Sequence, residues 1–79
     1  MEGDVKYVCE VAQMVWDLDL SECTPLDAVE AFAKKVRSDP PSNQDHIFAV
    51  NRGLTAASRI MDSINAIQFQ ILAGQSGVN

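Results

Sequence analysis

Three prolines divide this sequence into three segments, and each segment carries apolar residues at the spacing of an α-helix. Pro25 and the pair Pro40–Pro41 lack the backbone N–H that a helix interior requires, and each proline pushes the residue before it out of the helical region. The chain must therefore turn near both places. Because 79 residues are enough for one domain only, we expect a single domain over residues 1–79.

The first two segments predict helices over about residues 4–18 and 25–38. Asp4 is placed to cap the first helix, where apolar residues recur at steps of three and four. The second start is the strongest local signal in the chain, because Thr24 can act as the N-cap, Pro25 fits the first helical position and Asp27 completes a capping pattern. The apolar positions of the two helices are Val5, Val8, Val11, Ala12, Val15 and Leu18, then Leu26, Val29, Phe32, Ala33 and Val36.

The third segment predicts a long helix over about residues 43–73, capped by Ser42 or Asn43. Its apolar stripe steps by three and four and is interrupted only at Gln68. Gly53 lies inside this segment, so the helix either continues through it, which we favour, or kinks there. Glycines at 74 and 77 are expected to end the helix and leave a frayed tail over 74–79. The stripe consists of Ile47, Val50, Leu54, Ala57, Met61, Ile64, Gln68 and Ile71.

These segments predict an all-α fold, a three-helix antiparallel bundle in which two short helices pack on one long C-terminal helix. A helix from 44 to 73 spans roughly 45 Å at 1.5 Å per residue. Each short helix would reach only about half that length. The sequence therefore predicts a long helix that protrudes, unless it bends at Gly53.

Charged residues are distributed unevenly along this acidic chain, whose formal net charge is −5. Eight acids and one base, Lys6, precede Phe32, five bases lie between Phe32 and Arg59, and no charged residue follows Asp62. The acidic balance argues against direct nucleic-acid binding. Two explanations stay open for the uneven distribution: pairing between the acidic and basic stretches within the fold, which we favour, or a dipolar surface that docks a partner.

The chemically reactive side chains form no recognisable catalytic or metal-binding motif. His46 is the single histidine, so we expect a surface residue, and Cys9 is expected to be a structural thiol whose pKa is raised by Glu10. Cys9 could pair with Cys23 if the first loop folds back. The basic stretch 34–37 is expected to be a solvated helix end rather than a phosphate site. We therefore predict no enzyme activity, cofactor, metal or small-molecule substrate.

Neither a signal-peptide pattern nor a membrane-spanning apolar run is recognisable in the sequence. The N-terminal residues are acidic, and no stretch approaches the roughly 18 continuous apolar residues of a membrane span. Two cysteines are too few to indicate a disulfide-rich secreted domain. We expect a cytoplasmic protein with reduced thiols.

The C-terminal half of the third helix carries apolar residues around most of its circumference, and this predicts a protein-binding surface. Either the two short helices cover it completely, or it contacts another protein, which we favour. The expected function is a non-enzymatic interaction module that self-associates or docks a partner. Alternatives are a small acidic adaptor or chaperone-like regulator that binds a partner's amphipathic helix, and an acidic mimic that blocks a nucleic-acid-binding surface. The predicted contact residues are Ile60, Met61, Ile64, Ile67, Phe69, Ile71 and Leu72, with Trp16 as a further anchor or simply a core edge.

Overall fold

The fold is all-helical, as the sequence predicts. The computed structural model describes the backbone of residues 2–77 and the side chains of residues 2–74. Within that range three helices and no strand are present: α1 (Glu2–Trp16), α2 (Pro25–Ser38) and α3 (Gln44–Gly77). Two short helices pack on the long one, which confirms the predicted fold class.

Side-chain caps define the starts of α2 and α3. The Thr24 hydroxyl accepts a hydrogen bond from the N–H of Asp27 at 3.2 Å, as the capping pattern predicts. At the start of α3, the Asn43 side-chain oxygen accepts from the N–H groups of Asp45 and His46, at 2.8 and 3.3 Å. Asp4, predicted to be a cap, lies instead inside the first turn of α1.

Helix α1 ends at Trp16, two residues earlier than predicted, because Asp17 adopts a left-handed backbone conformation. Its φ is 53°, and its N–H donates to the carbonyl of Gln13 at 3.0 Å. The next N–H, of Leu18, donates to the carbonyl of Ala12 at 3.2 Å. These bonds satisfy carbonyls that a helix end would otherwise leave without partners, and they turn the chain back along α1.

The segment from Leu18 to Thr24 runs back along α1, so that α1 and α2 point in the same direction. Midway along it, the carbonyl of Leu20 lies 3.8 Å from Sγ of Cys9, and the Leu20 side chain is buried. The far ends of the two helices meet where the indole N–H of Trp16 donates to the carbonyl of Asp39 at 2.7 Å. In a simple up-down-up bundle, α1 and α2 would be antiparallel. Here they are parallel, because the linker between them returns along α1, a feature that the sequence analysis did not predict.

Both short helices run antiparallel to α3. The start of α1 lies beside the middle of α3, where Asp4 and Arg59 form an ion pair at 3.5 Å. The start of α2 lies at the same level, with Leu26 and Met61 lining one depression. Helix α3 is uninterrupted through Gly53, as favoured from the sequence. The predicted end at Gly74 is wrong, because α3 continues to Gly77, and no described glycine has a positive φ.

The core lies where the three helices meet, and Phe32 of α2 is at its centre. Phe32, Ile60 and Val8 are fully buried, and the Trp16 ring packs edge-on against Phe32 with centroids 5.5 Å apart. The buried glycine of α3, Gly53, leaves space for the tip of the Phe32 ring. The remaining buried apolar residues are Val11, Ala12, Leu20, Ala28, Val29, Val50, Ala56 and Ala57.

Candidate protein-binding surface

The last part of α3 extends beyond the two short helices, and its described side chains are all exposed. We call residues 65–77 the α3 extension. Exposed fractions are 49% for Ile67, 72% for Phe69, 55% for Ile71 and 62% for Leu72. Four large apolar side chains within six residues thus face solvent on one helical segment. They form the candidate functional site.

The lengths of the helices explain why this segment is uncovered. At 1.5 Å per residue, the 34 residues of α3 span about 51 Å, whereas the 15 residues of α1 and the 14 of α2 span about 21–23 Å. Both short helices begin near the level of Arg59 and Met61, so nothing in the described chain lies beside α3 beyond Ile64. The molecule is accordingly elongated, with extents of 55 × 22 × 21 Å.

One apolar row of the α3 extension continues the row that faces the core. Positions that alternate by three and four residues are buried in the bundle at Val50, Gly53, Ala57 and Ile60, and partly buried at Ile64. The same alternation continues through the exposed positions Ile67, Ile71 and Gly74. We call Ile64, Ile67 and Ile71 the seam. From Ile67 onward, the seam is therefore a continuation of the core-facing row that the short helices do not cover.

A second apolar feature lies on the opposite side of the extension. Phe69 is two positions from both Ile67 and Ile71, which places it about 160° around the helix from them at roughly 100° per residue. Leu72 lies between the seam and Phe69. The extension is thus apolar on more than one side, which is unusual for a helix surrounded by water.

The structure divides the predicted contact residues into three groups: buried, partly buried and exposed. Ile60 is fully buried in the bundle core, so it is not part of an accessible surface. Met61 and Ile64 are partly buried and pack against the core, and Trp16 is a core-edge residue on Phe32. The exposed surface therefore begins later along α3 than predicted, because the short helices reach as far as Ile64. It consists of Ile67, Phe69, Ile71 and Leu72.

No charged side chain occurs in the α3 extension, while the bundle beneath it carries all the charges. The ion pair between Asp4 and Arg59 lies at the junction of the two, and the Arg59 side chain is largely exposed. This pair joins the acidic and basic stretches of the sequence, as expected if the two stretches pair within the fold. A solvent-exposed pair of this kind contributes about 0–1 kcal/mol, so it adds little to the stability of the fold.

Exposed apolar side chains also occur on the bundle itself, and these include Ile47 and Leu54 of the predicted α3 stripe, each just over one third exposed. Phe48 on α3 is exposed, with the Arg52 guanidinium 5.7 Å from its ring centroid, and Met14 on α1 is exposed as well. The sequence analysis did not single out either residue, because each lies outside the apolar stripe of its helix. Isolated exposed apolar residues are normal on protein surfaces.

The thiols and the histidine lie apart from the α3 extension. Cys9 and Cys23 are free, and burial raises the pKa of the Cys9 thiol, with smaller contributions from Cys23, Asp19 and Glu10. His46 lies in the first turn of α3, at the opposite end of that helix. Among residues 2–77, no three His, Cys, Asp or Glu side chains are grouped so that they could hold a metal ion.

The described helices include none that is both long and apolar enough to cross a lipid bilayer. Comparisons with protein-family models, with curated proteins and with solved structures find no match to this chain.

Proposed function

We propose that this protein is a non-enzymatic interaction module that associates with a second copy of itself through the α3 extension. One observation carries the proposal: four large apolar side chains project from a helix end that the described chain leaves uncovered. Exposed apolar patches of this kind mark protein contacts, and a helix that is apolar on several sides is normally buried.

The absence of charge from the extension favours a second copy over a partner recognised by charge. When a segment pairs with its own copy, any charged side chain risks facing the same charge, which is unfavourable. From Ser63 to Asn79 the sequence contains no charged residue, whereas the rest of the chain carries all 17 of them. Its polar residues are serine, asparagine and glutamine, whose side chains can donate and accept hydrogen bonds with an identical partner.

The magnitude of the expected burial indicates a weak, concentration-dependent association. Covering the exposed half of an isoleucine side chain contributes about 1 kcal/mol, and the exposed part of the apolar row has four such side chains in two copies, Ile67 and Ile71 of each. The resulting roughly 4 kcal/mol reaches only the lower end of the association cost of about 4–15 kcal/mol, so the association is expected to be weak. We therefore expect association to be seen only at high protein concentration.

Analytical ultracentrifugation of the whole chain between about 5 and 500 μM tests the proposal, because the mass of a self-associating protein rises with its concentration. The wild type should gain mass with concentration, and Ile67→Asp should stay monomeric with unchanged helical circular dichroism. The matched control is Met14→Asp, since Met14 is 52% exposed on α1, close to the 49% of Ile67. It should associate like the wild type. A wild type that is monomeric at every concentration refutes the proposal.

Salt dependence separates self-association from the alternative functions. Association through an uncharged segment should be unaffected or strengthened by about 1 M NaCl, since no ion pair is screened. Binding through the acidic surface would instead weaken with salt and with charge reversal at Asp17, Asp19 or Glu22. An adaptor for a partner's helix would be a monomer that gains helicity only when that partner is added. Either result contradicts the proposed self-association.

A further inference from the structure

We infer that two copies pair their α3 extensions antiparallel, with Ile67 of each copy packed against Ile71 of the other about a two-fold axis near residue 69. This inference rests on the proposed self-association and specifies its geometry. The seam forms the interface, and Phe69 remains outside it.

The direction of pairing follows from the position of the short helices. The seam continues the row that faces α1 and α2, so those helices lie on the same side of α3 as the proposed partner. Paired helices have axes about 8–10 Å apart. Each bundle measures 22 × 21 Å in cross-section. In a parallel pair, the two bundles would overlap in space on the N-terminal side of Ile64. An antiparallel pair places the two bundles at opposite ends and avoids this overlap.

The register follows from two-fold symmetry together with the exposure of Ile67 and Ile71, the two isoleucines of the seam that the short helices leave uncovered. In such an interface, residue i contacts residue j of the second copy, and residue j contacts residue i of the second copy. The two residue numbers of every contacting pair therefore add up to the same total. Pairing Ile67 with Ile71 also places Ile64 opposite Gly74. No atom lies within 4 Å of where a Cβ on Gly74 would be, so this position offers room for a large side chain from the second copy. At both ends of the interface, the large Ile64 of one copy then lies against the small Gly74 of the other.

The same register fits the length of the extension. It brings Gly77, where the described part of α3 ends, to the level of Met61 of the second copy. That level is where α1 and α2 begin, as the depression shared by Leu26 and Met61 indicates. The paired helices therefore fill the uncovered length of α3 without entering the bundles.

Glutamines flank the centre of this arrangement. Gln68 and Gln70 lie on either side of position 69. Each therefore approaches the same residue of the second copy across the two-fold axis. An amide side chain has both donors and an acceptor, which lets two identical glutamines hydrogen-bond to each other. A lysine or glutamate at either position would face the same charge on the second copy. Both glutamines are exposed in the single chain and free to adopt such a contact.

Disulfide trapping tests the orientation directly. In a Cys9→Ala/Cys23→Ser background, Ile64→Cys and Gly74→Cys variants are prepared separately and mixed in equal amounts, with oxidised glutathione as the oxidant. The glutathione disulfide is reduced to two thiols as the protein disulfide forms. The mixture should give a cross-linked dimer that contains one copy of each variant, and neither variant alone should cross-link. In the inferred register, identical positions are about 15 Å apart along the axis, beyond the Cα separation of about 4.4–6.8 Å that a disulfide spans.

A pair of charge variants tests which face is used and does not depend on cross-linking. Ile67→Asp should raise the dissociation constant at least about tenfold because it places a charge in the seam. Phe69→Asp, on the opposite side of the same helix, should change it less than about threefold. Cross-linking of either single-cysteine variant with itself, no cross-link in the mixture, or loss of association in Phe69→Asp overturns the antiparallel seam even if the wild type self-associates. A monomeric wild type refutes both the seam and the proposed function.

Discussion

The Cζ atom of Phe32 lies only 2.7 Å from where a Cβ on Gly53 would be placed. Both residues are buried, one at the centre of α2 and the other inside α3. The Phe32 ring is further held by the edge-on contact with Trp16, so it has little freedom to move away. Gly53 is therefore a packing requirement of the core, rather than the position of a kink.

We expect Gly53→Ala to destabilise the fold, although alanine is the better helix former. The usual gain of about 1 kcal/mol from replacing glycine in a helix is opposed by the overlap with the Phe32 ring, and overpacking a core costs typically about 1–3 kcal/mol. The net free energy of unfolding should fall by about 1 kcal/mol, the middle of the roughly 0–2 kcal/mol that these two effects leave. Urea denaturation followed by circular dichroism measures the change.

Two variants control for the intrinsic effect of alanine. Gly74→Ala, in the same helix with no neighbouring atom within 4 Å, should be neutral or slightly stabilising in dilute protein. In a Phe32→Leu background, which replaces the ring by a shorter side chain without Cζ, Gly53→Ala should lose most of its destabilising effect, giving a coupling energy of about 1 kcal/mol. Stabilisation by Gly53→Ala in the wild type would contradict the steric explanation.

Replacing Asp17 by glycine should stabilise the protein. The left-handed conformation of Asp17, with φ at 53°, costs roughly 1 kcal/mol for a residue with a side chain, and glycine adopts it readily. The substitution also removes a hydrogen bond from the Gln13 side chain, so the net gain should be about 0.5 kcal/mol. Asp17→Val should instead lower the melting temperature, because a β-branched residue disfavours positive φ. If valine and glycine had equal effects, this conformation would not control the end of α1.

Trp16→Phe should loosen the contact between the ends of α1 and α2. Phenylalanine retains an aromatic ring against Phe32 but lacks the indole N–H that donates to the carbonyl of Asp39. A net loss of about 1 kcal/mol in the free energy of unfolding is expected. Hydrogen exchange should accelerate first in the residues near 38–43, because the bond joins that turn to α1. Unchanged exchange there would contradict the role given to the bond.

The two thiols should differ in reactivity. Cys23 is exposed, whereas Cys9 is partly buried and its pKa is raised above the ordinary value of 9.0, chiefly by burial. Iodoacetamide at pH 8 should therefore modify Cys23 first, as peptide mass mapping can show. Because folded Cys9 holds its proton at a pH where unfolded Cys9 loses it, stability should fall as the pH rises above 9.0.

The Cys9→Ala variant provides the control for the pH dependence. It should lack the Cys9 contribution to the loss of stability above pH 9.0 and should leave the rapid modification of Cys23 unchanged. Equal labelling rates for Cys9 and Cys23 in the folded wild type would show that Cys9 is not protected as its packing requires.

Local patterns predicted the helices well because they depend on residues close together in sequence. The cap at Thr24 and the break at Pro40–Pro41 depend on contacts within four residues, and the structure confirms both. The end of α1 was predicted two residues too late, because the left-handed conformation of Asp17 has no distinctive sequence signal. Glycine at 74 was predicted to end α3, yet a glycine inside a helix costs only about 1 kcal/mol and does not prevent its continuation.

The sequence by itself determined that this chain forms three helices, that the third is the longest, and that its last part is apolar and uncharged. Only the tertiary structure decided that α1 and α2 run in the same direction, that Ile60 belongs to the core and that the uncovered surface begins after Ile64. The physical reason is the range of the interactions. Caps and helical periodicity act over a few residues, whereas the contacts of Cys9 with Leu20 and of Trp16 with Asp39 join positions 11 and 23 residues apart. Together with the contact of Asp4 with Arg59 and the position of Leu26 beside Met61, they fix how the short helices lie along α3, and hence which of its apolar side chains remain in water.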